Sequence, residues 1–109
     1  MDATTSDRRS SRRHSLKIPL RLRIWGTPGP EQRAESVDLS ERGALLETRL
    51  PLLVGTALDL RLNLPEEMTG QPTTEWRCRG RVIRVAPRIS LQRSAQVGVH
   101  FDWLQVLRP

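Results

Sequence analysis

The chain has 109 residues and a formal net charge of +6, which allows one domain at most. A single cysteine, Cys78, excludes an intramolecular disulfide. No apolar run reaches the roughly 20 residues that a membrane-spanning helix needs, and the N-terminus lacks the hydrophobic stretch of a signal peptide. We therefore expect a cytoplasmic protein without membrane insertion.

The N-terminal segment, residues 1–15, is rich in Ser, Thr and Arg and has no apolar periodicity, so we expect a flexible arm when it is unbound. The chain up to Lys17 carries five basic residues against two acidic ones. The basic residues are Arg8, Arg9, Arg12, Arg13 and Lys17. Such a block favours a polyanionic partner, namely nucleic acid, a nucleotide or anionic lipid, although a solvated tail has the same composition.

Alternating apolar and polar residues predict six or seven short strands separated by loops rich in Gly and Pro. In the first strand Leu20, Leu22 and Ile24 share one face, and the fourth strand repeats this pattern with four leucines. The predicted strands are Ile18–Ile24, Ala34–Leu39, Ala44–Thr48, Ala57–Leu64, Trp76–Val85 and Ala95–Phe101. The sequence contains no convincing long amphipathic helix, so the pattern is typical of an all-β antiparallel barrel or sandwich.

Two segments depart from simple alternation. The fifth strand slips in phase at Val82 and Ile83, which predicts a β-bulge. Residues 102–109 lack a strand pattern and are predicted to form a short helical turn or a tail.

The residues that commonly carry catalysis do not form a set. His14 and His100 lie far apart in the sequence, and His100 falls on the outward phase of its strand. Cys78 falls on the inward phase and is expected to be a small core residue rather than a nucleophile. The chain has no cluster of His and Cys at metal-ligand spacing and no Gly-rich phosphate loop. We therefore expect neither an enzyme nor a metal protein.

The turn between the second and third predicted strands carries polar groups suited to ligand binding. Asp38 and Ser40 favour a turn and are expected to point outward, and Gly43 is expected to adopt a positive φ at the corner. The carboxylate of Asp38 can accept the N1 and N2 hydrogens of guanine, whereas arginines of the arm can bind phosphate or guanine through their planar guanidinium groups. Together these groups suit a ligand that has both phosphates and guanines.

Two motifs resemble the signatures of the PilZ domain family, Asp/Asn-x-Ser-x-x-Gly and, some twenty residues earlier, Arg-x-x-x-Arg. The first is intact at Asp38–Gly43. The second allows more than one register, because its spacing occurs twice within residues 8–13. Placed directly before the first strand, the motif runs from Arg13 to Lys17, with Arg12 as an extra preceding arginine. Lysine keeps the charge but lacks the planar fork and stacking face of arginine.

The resemblance covers about Arg8–Trp103 and implies a six-stranded antiparallel barrel that binds cyclic di-GMP, a bacterial second messenger. It implies a PilZ-type barrel over residues 16–104, followed by a tail over residues 105–109. The implied function is that of a receptor or adaptor for an unidentified effector protein, with the ligand ordering the arm over the barrel. The ligand-binding residues would be Arg12, Arg13, Lys17, Asp38, Ser40 and Gly43, with Arg8, Arg9 and Arg84 as further candidates.

Other functions remain open. Lys17 in place of arginine favours a PilZ-like interaction adaptor that binds no nucleotide, and it leaves open whether one or two ligand molecules bind. A barrel that binds single-stranded nucleic acid needs exposed aromatic platforms. Trp25 and Trp103 are candidates for that role or for plugs of the barrel, whereas Trp76 falls on the inward phase. Arg84 is either a ligand-binding residue or simply a strand residue exposed to solvent. We expect a nucleotide ligand rather than a nucleic acid.

Overall fold

Six strands form a closed antiparallel barrel in the computed structural model, which describes residues 14–86 and 94–107. The strands are β1 Pro19–Ile24, β2 Gln32–Leu39, β3 Gly43–Thr48, β4 Ala57–Leu64, β5 Thr74–Val85 and β6 Ala95–Val106. A single-turn helix, α1 (Glu66–Thr69), connects β4 to β5. Neighbouring strands follow the order β1–β2–β3–β6–β5–β4, and β4 pairs with β1. The predicted six-stranded all-β fold with little helix is confirmed.

The core is built mainly from leucines that alternate along the strands. All four leucines of β4 are buried, as are Leu20 and Leu22 of β1. Leu20 lies opposite Leu62 in the ladder, and Leu22 lies opposite Leu60. Side chains of neighbouring strands therefore lie side by side inside the barrel. Each fully buried leucine contributes about 1.5–3 kcal/mol relative to an exposed one.

One-residue bulges interrupt three of the described strands. In each case the ladder skips one residue, namely Val37 in β2, Ile83 in β5 and Asp102 in β6. A bulge shifts the alternation by one position, so the strand presents the other set of residues to the core from that point on. The bulge at Ile83 confirms the phase slip predicted from the sequence, and the other two bulges were not predicted.

Strand β6 extends to Val106, so the prediction of a helical turn or tail from residue 102 is wrong. Before the bulge at Asp102 the odd-numbered residues of β6 face inward, and after it the even-numbered residues do. The alternation in the sequence therefore breaks at Asp102, and the rest of the strand cannot be recognised from it. Leu104 packs against the core beyond the bulge. The backbone N–H of Leu107 then donates to the carbonyl of Glu75 at 2.9 Å. The segment after Asp102 is therefore part of the sheet.

The three tryptophans occupy two environments. Trp76 packs against the core, in agreement with its inward phase, and its indole Nε1 is buried with no hydrogen-bond partner among the described residues. Trp103 lies opposite Arg79 on the outer face and is 37% exposed, and its ring contacts that of Trp25. The suggestion that Trp25 and Trp103 plug the barrel is therefore wrong.

Candidate ligand-binding site

Ser40 forms its hydrogen bonds within the turn between β2 and β3. Its backbone N–H donates to the carbonyl of Gly43 at 2.9 Å, and its hydroxyl lies 3.3 Å from the same oxygen. The hydroxyl oxygen also accepts from the backbone N–H of Arg42 at 3.2 Å. Ser40 is only 4% exposed, so the expectation that it points outward is wrong. The hydroxyl closes the turn, as Ser side chains often do.

Gly43 is required by a neighbouring strand rather than by its own backbone angles. Among the described residues the glycines with positive φ are Gly26, Gly55 and Gly70, so the positive φ predicted for Gly43 is wrong. A Cβ atom at this position would collide with the backbone carbonyl oxygen of Val99 on β6. The absence of a side chain at Gly43 therefore allows β3 to approach β6 closely.

The bulge at Val37 determines which way Asp38 faces. Ser36 and Leu39 are both buried, although they are three residues apart. In an uninterrupted strand Asp38 would share the inward face of Ser36. Because the ladder skips Val37, Asp38 falls on the outer side and is half-buried. The outward carboxylate predicted for this turn is therefore present, for a reason that the sequence pattern did not reveal.

The chain enters the described part of the structure beside this turn. The backbone N–H of His14 donates to the carbonyl of Leu39 at 2.7 Å, and the N–H of Leu39 donates to the carbonyl of His14 at 2.9 Å. Arg12 and Arg13 directly precede His14 in the sequence. These two arginines lie outside the described residues, as do Arg8 and Arg9.

Ser36 holds the segment between His14 and β1. Its hydroxyl donates to the carbonyl of Leu16 and accepts from the backbone N–H of Ile18, the latter at 2.9 Å. The side chain is fully buried, so both hydrogen bonds are shielded from water. Sequence reasoning missed Ser36, and the only signal was a hydroxyl on the inward phase of β2.

A pocket of about 200 Å³ adjoins the turn. The turn contributes Ser40, Arg42 and Gly43, β5 contributes Arg84, and β6 contributes His100. The described lining contains two arginines and a histidine but no carboxylate, so the pocket favours an anion. The structure thus brings Arg84 to the predicted turn and exposes His100 to solvent, as expected from its outward phase.

Lys17 belongs to the segment between His14 and β1. Its side chain is 70% exposed, and its Nζ is 3.9 Å from Oε1 of Glu35. Such an exposed pair contributes about 0–1 kcal/mol, so it leaves the lysine able to move. Lys17 is not among the described residues that line the pocket.

A larger cavity of about 650 Å³ lies elsewhere on the barrel. Two of its arginines are within ion-pair distance of glutamates. Arg21 is 3.7 Å from Glu31 and 3.6 Å from Glu75, and Arg61 is 3.6 Å from Glu31. This cavity therefore offers an anion less uncompensated positive charge than the smaller pocket does.

The described side chains that could act as a nucleophile or as metal ligands are buried or lie apart from one another. Cys78 is fully buried, and burial together with the carboxylates of Asp102 and Asp59 raises the pKa of its thiol, so a thiolate is disfavoured at neutral pH. Within residues 14–86 and 94–107, no three His, Cys, Asp or Glu side chains are grouped as metal ligands. Over the same ranges, no helix is long and apolar enough to cross a bilayer.

A family model for the PilZ domain matches residues 7–106. The chain belongs to the PilZ domain family. PilZ domains are ligand-binding and adaptor domains of cyclic di-GMP-type signalling. No match is found among curated proteins.

Comparison with solved structures finds the Bacillus subtilis inhibitor of motility, MotI/DgrA, with a TM-score of 0.65 and 18% sequence identity. The match covers 84% of this PilZ chain and 41% of that structure, so the chain spans about two fifths of the length of MotI/DgrA. At this identity the likeness shows a common fold.

Proposed function

We propose that this PilZ domain is a cyclic di-GMP receptor whose ligand lies between the arginines before His14 and the turn after β2. The observation that carries the proposal is the two-way hydrogen bonding between His14 and Leu39. It joins the end of the basic arm to the residue that follows Asp38, although the two segments are far apart in the sequence. The anion-favouring pocket that adjoins this turn supports the turn as part of the site.

The proposed roles follow from the chemistry of each side chain. Asp38 accepts hydrogen bonds from a guanine edge, and Arg12 and Arg13 bind the phosphates or stack on the bases. Arg84 contacts a guanine face from β5. Ser40 supports the site by closing the turn.

Three further residues have supporting roles. Gly43 allows the turn to lie against β6. Arg8 and Arg9 add positive charge from further along the arm. Lys17 adds positive charge without the planar fork of an arginine.

The energetics set a condition on the site. Ordering the backbone of one arm residue costs about 1–2 kcal/mol, whereas a hydrogen bond to a charged group contributes about 1.5–3 kcal/mol. Two or three charge-assisted contacts can therefore offset the ordering of the few arginine-bearing residues before His14. We propose that the ordered arm and the bound ligand then form the surface that an effector protein recognises.

Isothermal titration calorimetry with cyclic di-GMP tests the proposal. We expect Asp38→Ala and Arg13→Ala each to weaken binding about tenfold or more, which corresponds to about 1.4 kcal/mol. Arg33→Ala is the matched control, because Arg33 is an exposed arginine of β2 on the same barrel. Absence of saturable heat with the wild-type protein contradicts the proposal, as does unchanged affinity in both test variants.

A PilZ adaptor that binds no nucleotide is the second candidate, and the position of Lys17 outside the pocket favours it. Lys17→Arg distinguishes the two functions. If the wild-type protein is a receptor, the substitution tightens existing binding, since arginine restores the planar fork. If the wild-type protein gives no saturable heat and Lys17→Arg restores binding, the nucleotide-free adaptor is the correct function.

A further inference from the structure

Tryptophan and arginine side chains form a connected cluster on the outer face of the barrel, and the candidate ligand site does not use them. We name it the tryptophan–arginine cluster. Its members are Trp25, Asp59, Arg77, Arg79, Asp102 and Trp103.

The two indole rings are held by stacking with each other and with arginines. The ring centroids of Trp25 and Trp103 are 5.9 Å apart at an interplanar angle of 85°, an edge-to-face contact. The guanidinium carbon of Arg77 lies 5.3 Å from the centroid of the Trp25 ring, and that of Arg79 lies 5.0 Å from it. Both distances are within the range of a cation–π interaction.

Asp59 fixes the first of these arginines. Arg77 donates to its two carboxylate oxygens at 3.1 and 3.2 Å, and Arg23 lies 3.4 Å away. The hydrogen bond to Asp59 raises the pKa of Arg77, and Asp59 is only 3% exposed although it belongs to the outward phase of β4. The pair therefore holds the Arg77 guanidinium against Trp25 before any partner arrives.

The arginines at the other end of the cluster are less fully paired. Asp102 lies 3.6 Å from Nε of Arg79 and 3.7 Å from Nη2 of Arg81, distances too long for good hydrogen bonds. The Nε of Arg79 is buried and has no hydrogen-bond partner among the described residues. Arg81 is 53% exposed in its side chain, so its donors remain accessible to a carboxylate from outside.

The cluster also has the composition of a protein-binding hot spot. Trp and Arg are the residue types most enriched at such positions, where lysine and glutamate are depleted. Trp103 is 37% exposed although it is a large apolar side chain. Because Trp25 and Arg77 are already held in place, binding immobilises few additional rotamers, which lowers the entropic cost.

We propose that the tryptophan–arginine cluster is a docking surface for an acidic segment of a partner protein. Carboxylates of that segment pair with Arg79 and Arg81, and an apolar side chain beside them covers Trp103. Charge complementarity favours an acidic partner. The cluster together with its neighbours Arg23 and Arg81 contains four arginines and only two aspartates, so it has an excess of positive charge. The inference rests on the proposed function only in taking the partner to be its effector, and the docking chemistry itself needs no nucleotide.

A single-stranded nucleic acid fits this surface less well. Guanidinium groups and the neighbouring indole already contact the ring of Trp25, so it does not offer an open stacking platform.

Selection from a phage-displayed library of random peptides on the full-length wild-type protein tests the proposal. We expect the selected peptides to be enriched in Asp and Glu next to an aromatic or aliphatic residue. Trp103→Ala and Arg81→Glu should each weaken binding of these peptides about tenfold or more. Arg33→Glu is the matched control and should bind them normally, because Arg33 is exposed on β2 away from the cluster.

The indole N–H signals of the three tryptophans then locate the bound peptide by NMR. We expect the signals of Trp25 and Trp103 to shift, whereas Trp76 serves as an internal control because its Nε1 is buried. Thermal melting of Trp103→Ala shows whether the variant is folded, and Arg81→Glu provides an independent test at an exposed position.

Several outcomes overturn the proposal. These are the selection of no peptide, selection without acidic enrichment, and shifts confined to Trp76. A single-stranded oligonucleotide that shifts Trp25 and Trp103 at lower concentration than the peptides would make the cluster a nucleic-acid site instead. Calorimetry with cyclic di-GMP separates this inference from the proposed function, because Trp103→Ala removes no charge and should bind the nucleotide as the wild-type protein does.

Discussion

Single side chains in the turn after β2 have roles that differ from those their residue types first indicate. Ser40 and Gly43 were identified by their spacing from Asp38, but the hydroxyl of Ser40 faces the turn and Gly43 faces β6. The structural role of Ser40 depends on hydrogen bonds within the turn, and that of Gly43 depends on the neighbouring strand β6. Spacing therefore identified the residues, whereas the tertiary contacts explain them.

Gly43→Ala should destabilise the fold, since its Cβ would meet a backbone carbonyl that cannot rotate away. We expect a loss of about 1–3 kcal/mol in the free energy of unfolding, the usual cost of overpacking. Gly29→Ala is the control, because a Cβ there meets nothing within 4 Å and the backbone is not left-handed. Urea unfolding measures both, and equal stability of the two variants would contradict the close approach of β3 and β6.

Cys78 should make the stability of the protein fall at alkaline pH. The unfolded thiol ionises near its ordinary pKa of 9.0, whereas burial raises the pKa in the folded protein. The folded state therefore keeps a proton that the unfolded state loses, and the free energy of unfolding decreases by about 1.4 kcal/mol per pH unit above that value. The chain has no tyrosine and Lys17 is its one lysine, so few other groups titrate there.

Cys78→Ala tests this pH dependence. The variant should be less stable overall because it leaves a cavity, but its free energy of unfolding should change little between about pH 8 and about pH 10. Urea unfolding at a series of pH values gives the comparison. Parallel alkaline slopes in the two proteins would show that the thiol is not the group responsible.

Among the strands, β4 was predicted with its exact bounds and β1 to within one residue, although Ile24, which was expected to face inward, is 37% exposed; β2 and β6 were predicted only in part. Leucines alternate without interruption in the first two, so the pattern alone gives the inward face. The bulges at Val37 and Asp102 break the alternation, and their positions depend on which residues of β3 and β5 lie opposite. The association of His14 with Leu39 was equally hidden, because it pairs segments that are distant in the sequence.

Two C-terminal truncations test the observed length of β6. Removal of residues 105–109 deletes Val106, which lies opposite Trp76, and the hydrogen bond from Leu107 to Glu75. We expect a loss of at least about 2 kcal/mol, from backbone hydrogen bonds and partly buried apolar surface. Removal of residues 108–109 alone is the control and should change little. Thermal melting of the two truncated proteins compares their stabilities. Equal stability would mean that β6 ends before residue 105.

The molecule as a whole is a closed barrel with excess positive charge. Because every strand pairs on both sides within the described sheet, a partner has side chains rather than a bare strand edge to recognise. The net charge of +6 attracts anions from a distance. Folding and ligand binding should therefore respond differently to salt.

Cyclic di-GMP should bind more weakly as NaCl is raised from about 0.1 M to about 1 M, because the Debye length falls from about 10 Å to about 3 Å. We expect the dissociation constant to rise about three- to tenfold. The free energy of unfolding should change much less, since exposed ion pairs such as Lys17–Glu35 and Arg21–Glu75 contribute little and the partly buried pairs are screened less by salt. Calorimetry and urea unfolding at the two salt concentrations provide the comparison, and a dissociation constant that does not change with salt would argue against phosphate contacts.

The two ends of the described chain leave the barrel at different places. His14 is joined to Leu39 beside the turn, whereas Leu107 is joined to Glu75, which borders the larger cavity. A purification tag, a fluorescent protein or a second domain attached near the N-terminus would crowd the proposed nucleotide site. The same addition after Leu107 would leave that site open, so the C-terminal side is the better point of fusion for binding studies.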